Sequence, residues 1–377
     1  MSLTNINDNP RFTKYLVGQK AFQVNPLTVV DVGARGGFES HWTPYGDQLH
    51  IIGFEPDAEE CARLNEQSSA QISYFPIALD QRPGKRTLYV TKYIASSGLY
   101  EPDIKHIQRF TEEEDLTVVR TVELDTVDLD SFLNQEKVHE VDFIKLDTEG
   151  TELDILKGSI GLLQKTVLGL SIEVGFMQLH QNQPLFSDVD VFLRDLGFAL
   201  FDLSHYRYSR KSLPEPRWSG QVAIPSKQGQ TIWGQVLYLR DGVNELNFTN
   251  RLKGNWNDAR ILKLASLMEI FCLPDCAIEL LQVAQQTGRL QNWNVGHLID
   301  LLVPPVVDQA LITSGLTRGQ ILSYDEYMER ITSISSQAKP LSMRLQPRII
   351  RFIPSPIRRI IRLVLIKIRD IIEKVIT

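Results

Sequence analysis

Cysteine is scarce in this chain, with three in 377 residues: Cys61, Cys272 and Cys276. That is too few for a disulfide framework, and Cys272-x-x-x-Cys276 has no second ligand pair nearby to complete a zinc site. A reducing, cytoplasmic setting is the simplest expectation. No stretch reaches the roughly 18 consecutive apolar residues of a spanning helix. Met1 to Pro10 is polar where a signal peptide would be apolar, so neither membrane crossing nor secretion is expected. A basic excess is missing as well: 40 Lys and Arg stand against 46 Asp and Glu, a net charge of −6, and nucleic acid is therefore not an expected partner. G-x-G-x-x-G and G-x-x-x-x-G-K-[ST] are both absent, which weakens a dinucleotide or nucleoside triphosphate reading. The 43% hydrophobic and 23% charged content is that of an ordinary globular protein, long enough for two domains.

What is present begins at Leu27. The run Leu27–Val32 is apolar and β-branched, carries Asp31 near its end, and passes into Gly33-Ala34-Arg35-Gly36-Gly37. A second apolar run, Leu49–Phe54, ends on Glu55-Pro56-Asp57. This spacing predicts a strand, a tight glycine turn, a helix to about Tyr45, and a parallel strand with an acid at its tip. An acid there accepts both hydroxyls of a ribose, and glycines let a ligand approach the backbone. A helix over about Asp57–Gln67 and a third strand over Ile72–Leu79 follow.

Lys85–Tyr93 and Thr117–Leu124 read as a strand pair joined by a long polar excursion. Val141–Leu146 is a core strand ending in Asp147-Thr148-Glu149-Gly150. Behind it, Leu153, Leu156, Ile160 and Leu163 lie at helical spacing. Strands over Val167–Val174, Phe198–Leu203 and Thr231–Leu239, with a helix over Asp188–Leu196, complete an alternation that predicts an α/β fold: a Rossmann-like, doubly wound sheet over 1–240. Beyond it the expected parts are a small helical domain at 241–332, a linker at 333–347 and a basic amphipathic helix at 348–377.

With the phosphate motifs gone, Asp31, Gly33 and Gly37 form an acid-x-Gly-x-x-x-Gly pattern suited to a ligand with an amino-acid end. S-adenosylmethionine fits it: ammonium near Asp31, backbone along Gly33, Ala34, Gly36 and Gly37, ribose on Glu55 beside Pro56, adenine by Ala78. The plainer reading is a turn whose glycines serve sterics alone. The motifs Asp31-Val-Gly-Ala-x-x-Gly, Phe54-Glu55-Pro56, Ile77-Ala78-Leu79, Ser96-Ser97-Gly98-Leu99 and Asp142-Phe-Ile-Lys145-Leu-Asp147-Thr-Glu149-Gly150-x-Glu152-Leu-x-Ile-Leu-Lys157-Gly158 resemble FkbM-type methyltransferases over about Val29–Leu203. The resemblance implies methyl transfer from S-adenosylmethionine, usually to a hydroxyl of a sugar, glycan or polyketide-like product. Arg35 and Gly36 stand where such proteins often carry a different pair. Nothing beyond about residue 240 is covered.

Asp147, Glu149 and Glu173 fall at carboxyl ends of neighbouring strands, where open α/β sheets bind ligands. Each is a candidate to bind or deprotonate the acceptor, with His180 in the loop after the fifth strand as a further candidate base. Lys145 within an apolar strand needs one of these acids as a partner. No metal site is expected, since no His or Cys stands at ligand spacing.

From Arg344 to Thr377 nine Lys or Arg face Asp370 and Glu373, so this tail is net +7 and the remainder net −13. Its apolar stripe from Ile357 to Val375 opposes Arg358, Arg359, Arg362, Arg369 and Lys374, a pattern for an anionic membrane surface through 356–377 or for a dimerisation or docking helix. The expectation is an S-adenosylmethionine-dependent O-methyltransferase for a small-molecule or glycan acceptor, cytoplasmic or peripheral at the inner membrane face. The alternatives are N-methylation of an amino sugar and a non-catalytic scaffold that keeps the fold.

Overall fold

The computed structural model describes residues 5–213, 229–247, 256–306 and 319–337. In chain order the strands are β1 Leu27–Val32, β2 Leu49–Phe54, β3 Ile72–Phe75, β4 Ala78–Leu79, β5 Gly84–Thr91, β6 Val118–Val127, β7 Phe143–Leu146, β8 Gly169–Gly175, β9 Phe198–Tyr208 and β10 Gln230–Arg240. The helices are α1 Arg11–Gly18, α2 Ala58–Glu66, α3 Ile104–Ile107, α4 Leu129–Gln135, α5 Glu152–Lys157, α6 Ile160–Lys165, α7 Phe186–Asp195, α8 Gly242–Asn247, α9 Asp258–Ile270, α10 Pro274–Gln286, α11 Val295–Leu302 and α12 Tyr324–Gln337.

Seven strands form one sheet in the order β3-β2-β1-β7-β8-β10-β9. β1, β2, β3, β7 and β8 pair in parallel, and β10 runs antiparallel to both β8 and β9. This is the doubly wound, Rossmann-like sheet expected from the alternation of strands and helices. β1 is buried along its whole length, as a central parallel strand covered on both faces must be. Its Val30 and Val32 pack with Ile144 and Leu146 of β7, Leu170 and Ile172 of β8, and Leu156 and Leu163 from the helices.

Three local expectations change. The strand expected over Ile72–Leu79 is cut at Pro76: Ile72–Phe75 pairs with β2, while Ala78–Leu79 joins β6 and β5 in a second, three-stranded sheet. Proline has no N–H for the ladder. The helix expected after the glycine turn is a run of 3-10 turns over Ser40–Gln48, with Pro44 inside and Gly46 at φ 56°. The single helix expected behind β7 is two short ones, α5 and α6. They part at Gly158, where a side chain would come within 2.5 Å of the Asp80 carbonyl oxygen, and Ile160 consequently turns outward at 39% exposure.

The helical segment after β10 packs under the amino ends of the strands. α9 is buried from Ile261 to Ile270. Its Lys263 reaches Asp142 at 2.7 Å, Asn25 Oδ1 at 2.9 Å and the Pro26 carbonyl at 3.0 Å. Its Glu269 accepts from the Phe12 and Thr13 backbone N–H groups at the start of α1, where an acid offsets the helix dipole. Met1–Pro304 form one compact unit and Pro305–Thr377 another, so the expected boundary at 240/241 falls inside the first. In the second, α12 runs through Gln337, over the first residues of the expected linker. Residues 338–377, with the basic segment 348–377, lie outside the described residues. Among the described residues no helix is long and apolar enough to cross a membrane.

Candidate active site

Winding reverses between β1 and β7, and the carboxyl ends of β2, β1 and β7 open a crevice there, the place where open α/β sheets bind ligands. A cavity of about 640 Å³ occupies it. Val32 ends β1, and Gly33 and Gly37 follow it; Phe54 ends β2, and Glu55, Pro56 and Asp57 follow it; Lys145, Asp147, Thr148 and Glu149 belong to β7 and its turn. The remaining wall is the second sheet, which presents alternate residues Leu88 and Val90 from β5 and Arg120, Val122 and Leu124 from β6.

The turn after β1 is built against the end of β7. Gly33 stands at φ 76°, and a side chain there would lie 1.9 Å from the Asp147 carbonyl oxygen. The glycine is thus required by sterics whatever binds. Lys145, the direct cross-strand neighbour of Asp31, places Nζ 3.1 Å from Asp31 Oδ1, 3.7 Å from Asp147 Oδ2 and 3.0 Å from the Gly33 carbonyl. Burial pushes the Asp31 carboxyl up and Lys145 pulls it back; the two neighbouring aspartates hold the lysine charged against its own burial. Asp31 therefore lies behind the cavity wall with its charge answered by Lys145. Glu39, which does line the cavity, has its carboxyl raised chiefly by burial.

At the other end Glu55 is buried, its carboxyl raised by burial and lowered by the Asp57 backbone N–H at 2.9 Å and by Arg35. Asp57 caps α2 by accepting from Glu59 and Glu60 N–H groups. Ile77, Ala78 and Leu79 form the apolar wall beside it.

Glu149 sits in the left-handed region at φ 56°, a conformation that costs on the order of 1–3 kcal/mol for a residue with a side chain. Its turn is cinched by Glu152, which accepts from Thr148 N at 2.8 Å, Thr148 Oγ1 at 2.9 Å and Gly150 N at 3.3 Å. Gly98 of the loop after β5 lies against it, where a side chain would meet the Glu149 carbonyl at 2.8 Å, and Ser96 hydrogen-bonds the Glu149 side chain. Burial first, then Asp147 and Glu152, push the Glu149 carboxyl up to about 8. Glu173 on β8 is raised well above the carboxylate range by burial and by Glu149, Asp147 and Glu152. Tyr208 is raised by burial and by the same two glutamates, Glu149 and Glu173.

Of the expected cofactor residues, Gly33, Gly37, Glu55, Pro56 and Ala78 line the cavity, and Asp31, Ala34 and Gly36 do not. Ala34 packs on Cys61, Leu64 and Tyr74, and Gly36 donates its N–H to Glu60. Of the expected catalytic residues, Asp147 and Glu149 line it. Glu173 faces Glu149 from behind. His180 is buried off the cavity with Nδ1 3.2 Å from Gln183 Oε1, and burial lowers its basicity. Sequence reasoning passed over Glu39 and the second-sheet wall, and noted Arg35 only as a departure from the family pattern. The period-two alternation of Leu88/Val90 and Val122/Leu124 was the available signal for that wall.

The fold and cavity define an α/β domain with a ligand site at its switch point. Residues 31–200 match the family model described as the methyltransferase FkbM domain, and this span is a methyltransferase domain of that type. No curated protein matches the chain. Similar solved structures include magnesium protoporphyrin IX methyltransferase from Synechocystis PCC 6803 with bound SAM, at 10% identity over 62% of this chain and 79% of that one, TM-score 0.28. Another is a putative S-adenosylmethionine-dependent methyltransferase from Listeria monocytogenes, at 7% identity over 61% and 98%, TM-score 0.31. A third is precorrin-6y C5,15-methyltransferase from Geobacter metallireducens GS-15, at 8% identity over 60% and 87%, TM-score 0.28. At these scores the likenesses add nothing to what the sheet order shows.

Proposed function

We propose that this domain transfers a methyl group from S-adenosylmethionine to a hydroxyl of a sugar, glycan or related secondary-metabolite acceptor. The observation that carries the reading is the cavity itself, with a ribose-accepting acid, Glu55, at one end and a carboxyl titrating near neutrality, Glu149, at the other. Its volume is within the roughly 300–1,000 Å³ of small-molecule sites. The walls suit the cofactor part by part: Glu55 for the ribose hydroxyls, Ile77, Ala78 and Leu79 for the adenine, Gly33 and Gly37 where backbone must be approached, Glu39 for a cationic amino group.

Bound there, the cofactor supplies a methyl group already activated by its sulfonium. The protein need then align the acceptor oxygen and remove its proton. Alignment can supply on the order of 7–11 kcal/mol. Glu149 is the residue we assign to the proton, taking it as the oxygen–carbon bond forms. With a pKa of about 8 roughly one molecule in ten is ionised at pH 7, and a base with a pKa near the working pH is the best compromise between availability and strength. Asp147 faces the same space and accepts a second hydroxyl. The acids gathered around Glu149, namely Asp147, Glu152 and Glu173, also suit an amine-bearing acceptor, so the nitrogen of an amino sugar is the second reading.

The test is transfer of isotope-labelled methyl from S-adenosylmethionine to a panel of sugars and amino sugars, with the labelled position read by NMR. Label on oxygen supports the first reading and label on nitrogen the second. Calorimetry showing no S-adenosylmethionine binding at millimolar ligand would sink both.

A further inference from the structure

Arg35 was singled out in the sequence as a departure from the pattern its neighbours follow, and in the structure it is the cation nearest the ribose acid. It leaves the glycine turn after β1, lines the cavity, and sets Nη2 2.7 Å from Asp57 Oδ2 and 3.8 Å from Glu55 Oε1. The groups around Glu55 are otherwise acidic or neutral: Asp57 at the cap of α2, and Glu60 and Cys61 within α2. Glu60 is itself claimed by Arg63 at 2.7 Å and by the Gly36 N–H at 2.9 Å. Asp57 donates its N–H to Glu55 Oε1. One arginine thus draws the turn after β1 onto the cap of α2 and holds both acids of the Glu55-Pro56-Asp57 tip.

We propose that Arg35 is the positioning residue for cofactor recognition, keeping Glu55 ionised and fixed so that its carboxylate can accept both ribose hydroxyls. This rests on the cofactor reading given above. The physical reason is that Glu55 is 6% exposed and crowded by Asp57 and Glu60. A buried carboxyl in that company favours its neutral form unless a cation stands beside it, and a protonated carboxyl has one fewer full acceptor to offer the diol. Arginine suits the post because its planar fork can serve two carboxylates while always charged. At 32% side-chain exposure the guanidinium remains in contact with solvent, so its effect is graded.

The experiment is binding of S-adenosylhomocysteine by calorimetry across pH for the full chain, Arg35→Ala and Arg35→Lys, with thermal unfolding of each. Arg35→Ala is expected to bind about tenfold more weakly at the acid end of the range, with the gap closing as pH rises and Glu55 ionises without help. Arg35→Lys is expected to restore the wild-type pH dependence. A loss of equal size at every pH, or no loss, in a variant that unfolds at the wild-type temperature overturns the inference while leaving the cofactor reading in place. If Arg35→Ala fails to fold, Arg35→Gln takes its place, and a folded Arg35→Gln variant whose binding keeps the wild-type pH dependence would overturn it. Absence of binding by the wild-type chain overturns both.

Discussion

At the amino ends of β1 and β7 a lysine and an aspartate form a sealed pair, and at the carboxyl ends of the same strands a second lysine and aspartate form an open one. Lys263 has three close acceptors, and Asp142 also accepts the Thr28 N–H at 2.9 Å; both side chains are almost wholly buried. Lys145 has one carbonyl at 3.0 Å and two carboxylates at 3.1 and 3.7 Å, and its end faces the cavity. The first pair gives all three Lys263 protons an acceptor and joins α9 to the sheet. The second leaves charge at the wall of a space a ligand can enter. Similar residues, set a strand's length apart, serve as a weld below and as part of a site above.

The largest expected effect comes from breaking the weld. Lys263→Met leaves Asp142 buried without its cation and should lose about 3–5 kcal/mol in urea unfolding. Adding Asp142→Asn should return most of that loss, because the pair is replaced rather than broken. An undiminished unfolding midpoint in the single variant would contradict the sealed geometry.

Next comes the open end, through Glu149. Glu149→Gln should lower kcat by about 100-fold, roughly 2.7 kcal/mol, as expected for loss of a general base. In the wild type, kcat/KM should climb through about pH 8, since the ionised form is needed and burial delays it. For stability the sign is opposite. The folded state holds this proton more tightly than the unfolded chain, so the stabilisation is fully present below the ordinary glutamate range and is lost as pH rises through about 8. Melting curves from pH 6 to about pH 9 should therefore show Glu149→Gln gaining on the wild type as pH rises; parallel curves would remove Glu149 from the role.

The smallest effect on stability belongs to Lys145→Met. Water reaches this lysine, so the loss should be about 1–3 kcal/mol, less than for Lys263. Weakened S-adenosylhomocysteine binding should accompany it, because the Gly33 carbonyl loses its donor. Equal destabilisation by Lys145→Met and Lys263→Met would erase the distinction between the two ends.

Much of the core could be read from sequence because its signals are local. Leu27–Val32, Leu49–Phe54 and Val141–Leu146 are mainly apolar runs with one or two polar residues each, and the observed strands coincide with them or differ by two residues. Breaks set by a single residue were legible in principle but outweighed by pattern: Pro76 within an otherwise strand-like run, and Pro44 with Gly46 in an apparent helix. The site was half legible. Glu55 and Glu149 follow from lying at strand tips. That Lys145 would answer Asp31 depended on the register of β1 against β7, and that Arg35 would reach Glu55 and Asp57 depended on how the turn folds back on α2. His180 could not be placed, because its loop is positioned by an antiparallel bridge to Pro102 far away in sequence.

The contact of Gly33 with the carbonyl of Asp147 has a consequence for anyone redesigning this enzyme. With no clearance between them, the glycine turn after β1 and the strand end that carries Asp147 and Glu149 share one reference surface. A shim inserted on either side displaces both, so the reach between the donor and the receiver of the methyl group is a fixed dimension of the part. New acceptors must be accommodated by recutting the far wall, along Leu88, Val90, Arg120 and Val122, where material can be added or removed without moving that datum.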